Sequence, residues 1–153
     1  MFVTNRQFIK DFAINTSATS TPSYTPMCTA SEINIDTDFE TKDFYVFCDA
    51  LQRTILTGGS FGLSGTIKFD TSNAGEMALL DRVHTFIASG TIAQFNNVQV
   101  QYKLLTSESD GVLTYTTYNA TGTLVLSDLG GSAEDETEFG FEFKQNGVAT
   151  VVT

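Results

Sequence analysis

The sequence predicts a mainly β protein: an antiparallel β-sandwich or flattened barrel with one flanking α-helix at about residues 73–89. Three observations predict it. Segments such as EINIDTDFE and EFGFEFKQ alternate apolar and polar residues with a period of two. The composition is rich in Thr, Ser and Phe, with no Trp and only 2 Pro, and Thr and Phe suit pleated, half-buried surfaces. Only FDTSNAGEMALLDRVHTFIASG gathers apolar residues at helical spacing between marked ends. Clean apolar-in, polar-out alternation belongs to antiparallel sheets that bury one face, and such faces must close over a shared core.

Taken in order, residues 1–26 look irregular and read as an N-terminal arm or extended segment. Phe8, Ile9, Phe12 and Ile14 offer a short strand there, and the polar run NTSATSTPSYTP follows. The domain proper is expected over 27–153. Ile33, Ile35, Thr37 and Phe39 share one face of a strand, while Glu32, Asn34, Asp36, Asp38 and Glu40 share the other. Alternation breaks from Thr41 to Thr57, which predicts a long loop or irregular hairpin. It resumes with Phe61, Leu63, Gly65, Ile67 and Phe69 on one face, where the nearby glycines permit twist, a bulge or close backbone packing. The helix has Asn73 as N-cap, Glu76 at the capping-box position and Gly90 as its stop. Leu79, Leu80, Val83, Phe86 and Ile87 form its apolar stripe, and Asp81, Arg82 and Thr85 its polar side. Strands are then expected at 97–105, 112–118, 121–128 and 138–145, with a short last one after the Asn146-Gly147 turn signal.

Composition narrows the function. Apolar residues make up 41% and charged residues 17% of the chain, which is globular rather than disordered. At 153 residues, a single domain buries about two thirds of its unfolded surface. The net charge of −10 repels nucleic acid and anionic membranes, and the 8 cations are scattered singly. No apolar stretch reaches transmembrane length. The opening MFVTNRQFIKDF has no signal-peptide core, so synthesis in a cytoplasm is expected.

Catalytic and cofactor signals are lacking. His84 is the only histidine, which excludes a multi-histidine zinc site and leaves a Ser-His-Asp triad without local support. Cys28 and Cys48 read as two reduced thiols or one disulfide. No phosphate-binding glycine motif occurs. Residues 32–43 and 134–142 are acid-rich; they read as solvated faces, or as a calcium site without the EF-hand pattern. No cofactor, metal or catalytic residue is assigned.

The order of elements in INIDTDFETKDFYVFCDALQRTILTGGSFGLSGTIKFDTSNAGEMALLDRV resembles the tail tube proteins of long-tailed bacteriophages. The pattern is an acidic Asp36-Thr37-Asp38 stretch, the 41–57 segment, a Gly/Ser-punctuated strand over 58–70 and the Leu79-Leu80 pair of one helix. It covers roughly residues 27–145. The resemblance implies a non-enzymatic β-sandwich that forms stacked, hexameric rings of a virion tail, made in the host bacterial cytoplasm. DNA would transit the lumen without specific binding. Partners would be further copies of the chain and other tail proteins such as tape measure, terminator, baseplate or sheath, with no membrane. It further implies that Glu32, Asn34, Asp36, Asp38 and Glu40 line the lumen, or else serve solubility on the outer wall. Asp81, Arg82 and Thr85 would lie at a subunit boundary, and Phe8, Phe12, Phe44, Tyr45, Phe47 and Leu51 would bridge rings. Alternatives are a connector, terminator or decoration protein of the same kind of particle, or a carbohydrate- or receptor-binding sandwich.

Overall fold

A computed structural model describes residues 1–17 and 19–153, apart from the Asp49 side chain; Ala18, within the polar run 15–26, lies outside the described residues. The elements are α1 (Asn5–Phe8), β1 (Ile9–Asn15), β2 (Tyr24–Pro26), β3 (Ala30–Val46), β4 (Asp49–Lys68), α2 (Ala74–Ser89), α3 (Ala93–Asn96), β5 (Val98–Ser109), β6 (Val112–Gly130), β7 (Glu138–Gln145) and β8 (Thr150–Val151). All strand pairings are antiparallel, in one 8-stranded sheet of order β2-β1-β5-β6-β7-β4-β3, with β8 also on β6.

The sheet curls over its own apolar face. Phe12 on β1 stacks on Phe141 on β7 with ring centroids 5.2 Å apart, although β5 and β6 lie between them in the sheet. In a flat sheet three strand spacings would separate them by roughly 14 Å. Phe61 on β4 likewise reaches Tyr102 on β5, at 6.0 Å. The inward residues Leu63, Ile67, Val98, Val100, Leu124, Phe139 and Phe143 complete the core. The result is a flattened barrel whose two edges do not join.

The curl depends on missing side chains. A Cβ on Gly65 would lie 1.9 Å from the Glu32 carbonyl oxygen, and one on Gly122 would lie 2.0 Å from that of Lys144. Gly122 pairs with both Val98 and Gln145. It is the point where β6 stops pairing with β5 and begins pairing with β7.

Helix α2 forms where its caps place it. The Asn73 side chain accepts from the Gly75 and Glu76 amides at 2.9 and 3.3 Å, and Gly90 ends the helix with φ 68°. Glu76 does not close a capping box. Its fully buried carboxylate accepts from the Asp70 amide at 2.8 Å and from the Thr29 hydroxyl, tying the entry of β3 to the exit of β4. The apolar stripe is only partly covered. Leu79 is buried and Leu80 and Val83 half-buried beside Leu126, Leu129 and Phe139, while Phe86 and Ile87 are exposed.

Two further expectations are corrected. Residues 9–15 and 24–26 of the expected N-terminal arm, the offered short strand among them, are strands of the sheet, and Ile9, Phe12 and Ile14 sit in its core. Of the loop or irregular hairpin expected over 41–57, the hairpin forms, as the distal part of the paired β3–β4 ladder. Phe39, placed by alternation on the core face, is 60% exposed. Pairing of β4 with β7 ends at Gly62, so the hairpin runs past the core, and the Phe39 ring lies over Gly59.

Two predictions follow from this packing. Gly65→Ala and Gly122→Ala each lower stability by about 3 kcal/mol, read as a lower urea midpoint at unchanged slope. Gly58→Ala, where a Cβ meets nothing nearer than 3.6 Å, leaves the midpoint in place. The second concerns Tyr102, which lies between Phe61 and Tyr118 and donates to Gln145 Oε1 at 3.1 Å. Burial, then the nearby Tyr118, pushes its phenol from 10.0 up to about 12. The unfolded chain therefore ionises this group first, and its stabilisation, complete below pH 10.0, is lost as pH rises towards 12. Tyr102→Phe flattens the fall in stability over that window, measured by denaturant melts across the alkaline range.

Candidate functional site

The acidic row is assembled by strand geometry alone. Glu32, Asn34, Asp36, Asp38 and Glu40 alternate along β3, all exposed, and face the small residues Thr66, Ser64, Gly62, Ser60 and Gly58 on β4. Small neighbours leave the carboxylates uncovered. The same face continues through Glu142 and Lys144 on β7 to Val125 and Thr123 on β6. Its internal partners are few. Asn34 donates to Glu32 at 2.8 Å, and Lys144 lies 3.6 Å from Glu142. At the lower end Lys68 bridges Glu136 and Glu138 at 3.2 and 3.8 Å. The acids at 36, 38 and 40 thus give the face a negative field with no cation directly opposite them on β4. The row also lies on a terminal strand, where the outer edge is free to meet another chain.

The second feature is the distal hairpin. Beyond Glu40 a register shift displaces β4, and a second shift precedes the turn. Tyr45, Phe47 and Leu51 are 68%, 112% and 74% exposed, while Phe44 is half-buried. Ile55, Leu56 and Phe39 add exposed apolar surface that alternation did not single out. The signal for Phe39 was Gly58-Gly59 across the ladder, which offers nothing to pack against.

The other expected contact residues are scattered. Phe8 is partly exposed at the end of α1, but Phe12 is buried on Phe141 and cannot meet another ring. Arg82 does not sit on a free polar side. Its guanidinium donates to the Asn15 and Gln94 carbonyls at 3.4 and 3.5 Å, bracing α2 on β1 and α3, and burial lowers its pKa. Asp81 and Thr85 are exposed, with the Thr85 hydroxyl donating to the Asp81 carbonyl at 3.0 Å. His84 is exposed, and Cys28 and Cys48 are exposed free thiols. Among the described residues, no three His, Cys, Asp or Glu side chains are grouped to hold a metal ion. No helix is long and apolar enough to cross a membrane.

This architecture has clear structural counterparts. A chain in the tail of an empty GTA particle refined with C6 symmetry superposes with a TM-score of 0.53 at 13% identity, covering 99% of this chain and 100% of that one. The SPP1 tail tube matches with a TM-score of 0.57 at 10% identity, over 92% and 74% of the two chains. A chain in the sheath/tube terminator of the extracellular contractile injection system PVC matches with a TM-score of 0.58 at 12% identity, over 100% and 98%. No family model and no curated protein sequence matches. At these identities the likeness establishes the fold, which is that of tail tube components, and the resemblance read in the sequence holds at the level of structure.

Proposed function

We propose that this chain is a structural subunit of a phage-type tail tube, assembling as six-membered rings that stack end to end in a virion tail. The observation that carries the reading is the match of the whole curled, open sheet to chains of tail and tube assemblies, at near-complete coverage on both sides. The physical chemistry agrees. An open sheet with free edges gains by joining those edges to neighbours, and closed rotation removes them. Other tail proteins are the natural further partners, and the role is structural rather than enzymatic.

In this reading the face bearing Glu32, Asn34, Asp36, Asp38 and Glu40 turns to the lumen. A basic lining would collect phosphates and release counterions, holding DNA tightly. An acidic lining repels the duplex and lets it slide. Six copies at −10 each carry roughly −60, screened beyond about 10 Å at moderate salt. Asp81 and Thr85, on the exposed side of α2, fall at or near a subunit boundary, and the β3–β4 hairpin reaches between rings. A tube terminator is the second reading, favoured by the full-length match to a chain in the PVC sheath/tube terminator. It predicts single rings where a tube subunit gives long tubes.

Negative-stain microscopy of the purified protein across a concentration series separates these readings. Long hollow tubes with six-fold end views are expected; monomers at every concentration and salt would end the proposal. The lumen assignment is tested with the triple variant D36K/D38K/E40K. Tubes still form, but they retain added duplex DNA and impair its passage. Well-formed variant tubes that release DNA as the parent does would remove the assignment.

A further inference from the structure

The Asn146-Gly147 turn joins β7 to β8 and is the only asparagine–glycine pair in the chain. Its backbone is anchored on both sides. The Asn146 amide donates to the Thr121 carbonyl at 2.9 Å. The Gly147 carbonyl accepts from the Gln145 side chain at 3.0 Å, and Gln145 Oε1 in turn accepts from the Tyr102 hydroxyl at 3.1 Å. The atoms that could react are left open. Among the described residues, neither the Asn146 side chain nor the Gly147 N–H has a hydrogen-bond partner. Both residues are exposed, and Gly147, at φ 75°, has empty space where a Cβ would stand. A glycine after asparagine carries no side chain to keep its nitrogen away from the carboxamide.

No other position combines these features. Every other asparagine precedes a residue with a side chain. Some are also tied down: Asn15 Oδ1 accepts from the Ser17 and Ser23 amides, and Asn73 Oδ1 from those of Gly75 and Glu76. The related Asp110-Gly111 turn is protected differently, because the Gly111 N–H donates to the Glu108 carboxylate.

We propose that Asn146 is a site of spontaneous deamidation whose isoaspartate product releases β8 from the sheet. The Gly147 nitrogen loses its proton and attacks Cγ of Asn146. The new C–N bond closes a succinimide ring, and the Cγ–Nδ2 bond breaks with loss of ammonia. Water then adds to one of the two ring carbonyls and opens the ring. Opening at Cγ gives aspartate. Opening at the main-chain carbonyl gives isoaspartate, whose backbone runs through Cβ and Cγ and is one carbon longer. Either product adds a negative charge, but only isoaspartate lengthens the turn. Little holds β8 against that change. It pairs with β6 only through Thr150 and Val151, aided by the Val152 amide on the Thr117 carbonyl at 2.9 Å. Val148, Val151 and Val152 are exposed, so little burial secures the segment. This site is independent of the tube reading.

The test holds the folded chain in mildly alkaline buffer and follows it by peptide mass spectrometry. Cleavage after Glu142 releases 143–153, in which Asn146 is the only asparagine. That peptide gains the mass of O in place of NH and splits into aspartate and isoaspartate forms, ahead of every other asparagine. Asn146→Gln, whose longer side chain closes a five-membered ring no more, loses the conversion. Hydrogen exchange at the Val152 amide then reads β8. It becomes about tenfold faster in the chromatographically separated isoaspartate chain, while Asn146→Asp, which adds the charge without the extra carbon, keeps the parent rate. Conversion in urea but not in the folded chain would mean that the turn bars the attack, and overturns the site. Equal conversion at another asparagine overturns it too. An isoaspartate chain with Val152 still protected overturns the release of β8.

Discussion

The fold turns on Gly122. At that residue β6 is hydrogen-bonded into the ladder on both sides, leaving β5 as its partner and taking up β7. Residue 122 has no side chain, and the Lys144 carbonyl occupies the space that one would need. The sheet bends there, and Phe12 comes to lie over Phe141. Gly65 does the same for β3 against β4. Without these two close approaches the sheet would stay flatter, its apolar face would remain wet, and the two edges that flank the seam would not approach each other.

That curl stops short of closure, and the consequences reach outward. A closed barrel satisfies its own backbone and has no strand edge through which to associate. This sheet ends in β3 on one side and in β1 and β2 on the other, each with unpaired backbone groups along its outer edge. The long hairpin adds a second asymmetry, because its apolar residues lie beyond the last pairing of β4 with β7. Where two different surfaces of such a molecule join, the contact is head to tail rather than face to face. Six-fold rings and stacking are one way to use that polarity.

Alternation made the inner strands legible because each position there keeps its side. Ile33 and Ile35, Leu63 and Ile67, and Phe139, Phe141 and Phe143 all fall where the pattern puts them. The helix was legible from Asn73 and Gly90, since caps are local chemistry. What alternation cannot report is where a sheet runs past its core, so Phe39 looked buried and is not. Nor does it survive an extra residue. The left-handed Asp11, with φ 55°, sits in a bulge that throws Phe12 and Ile14 out of phase with Ile9, and β1 therefore read as part of an arm. The shifts after Glu40 and Phe44 broke the alternation in the same way, which left a loop and an irregular hairpin as equal readings of 41–57. Arg82 was misplaced for a different reason: helical phase shows a side, but not that the Asn15 and Gln94 carbonyls wait there.

The charge distribution joins the fold to the proposed assembly. A chain at −10 resists packing against copies of itself, so the contacts that hold a tube must be short-ranged and locally apolar. The exposed Tyr45, Phe47 and Leu51 lie near the hairpin turn, away from the row of acids on β3. Solvent-exposed carboxylates repel over a Debye length, about 8 Å at physiological salt, whereas burial of an aromatic ring acts only at contact. Separating the two along one strand lets the same hairpin carry both. In the proposed tube its lower half would keep a wall negative, and its tip would supply adhesion where that repulsion is weakest.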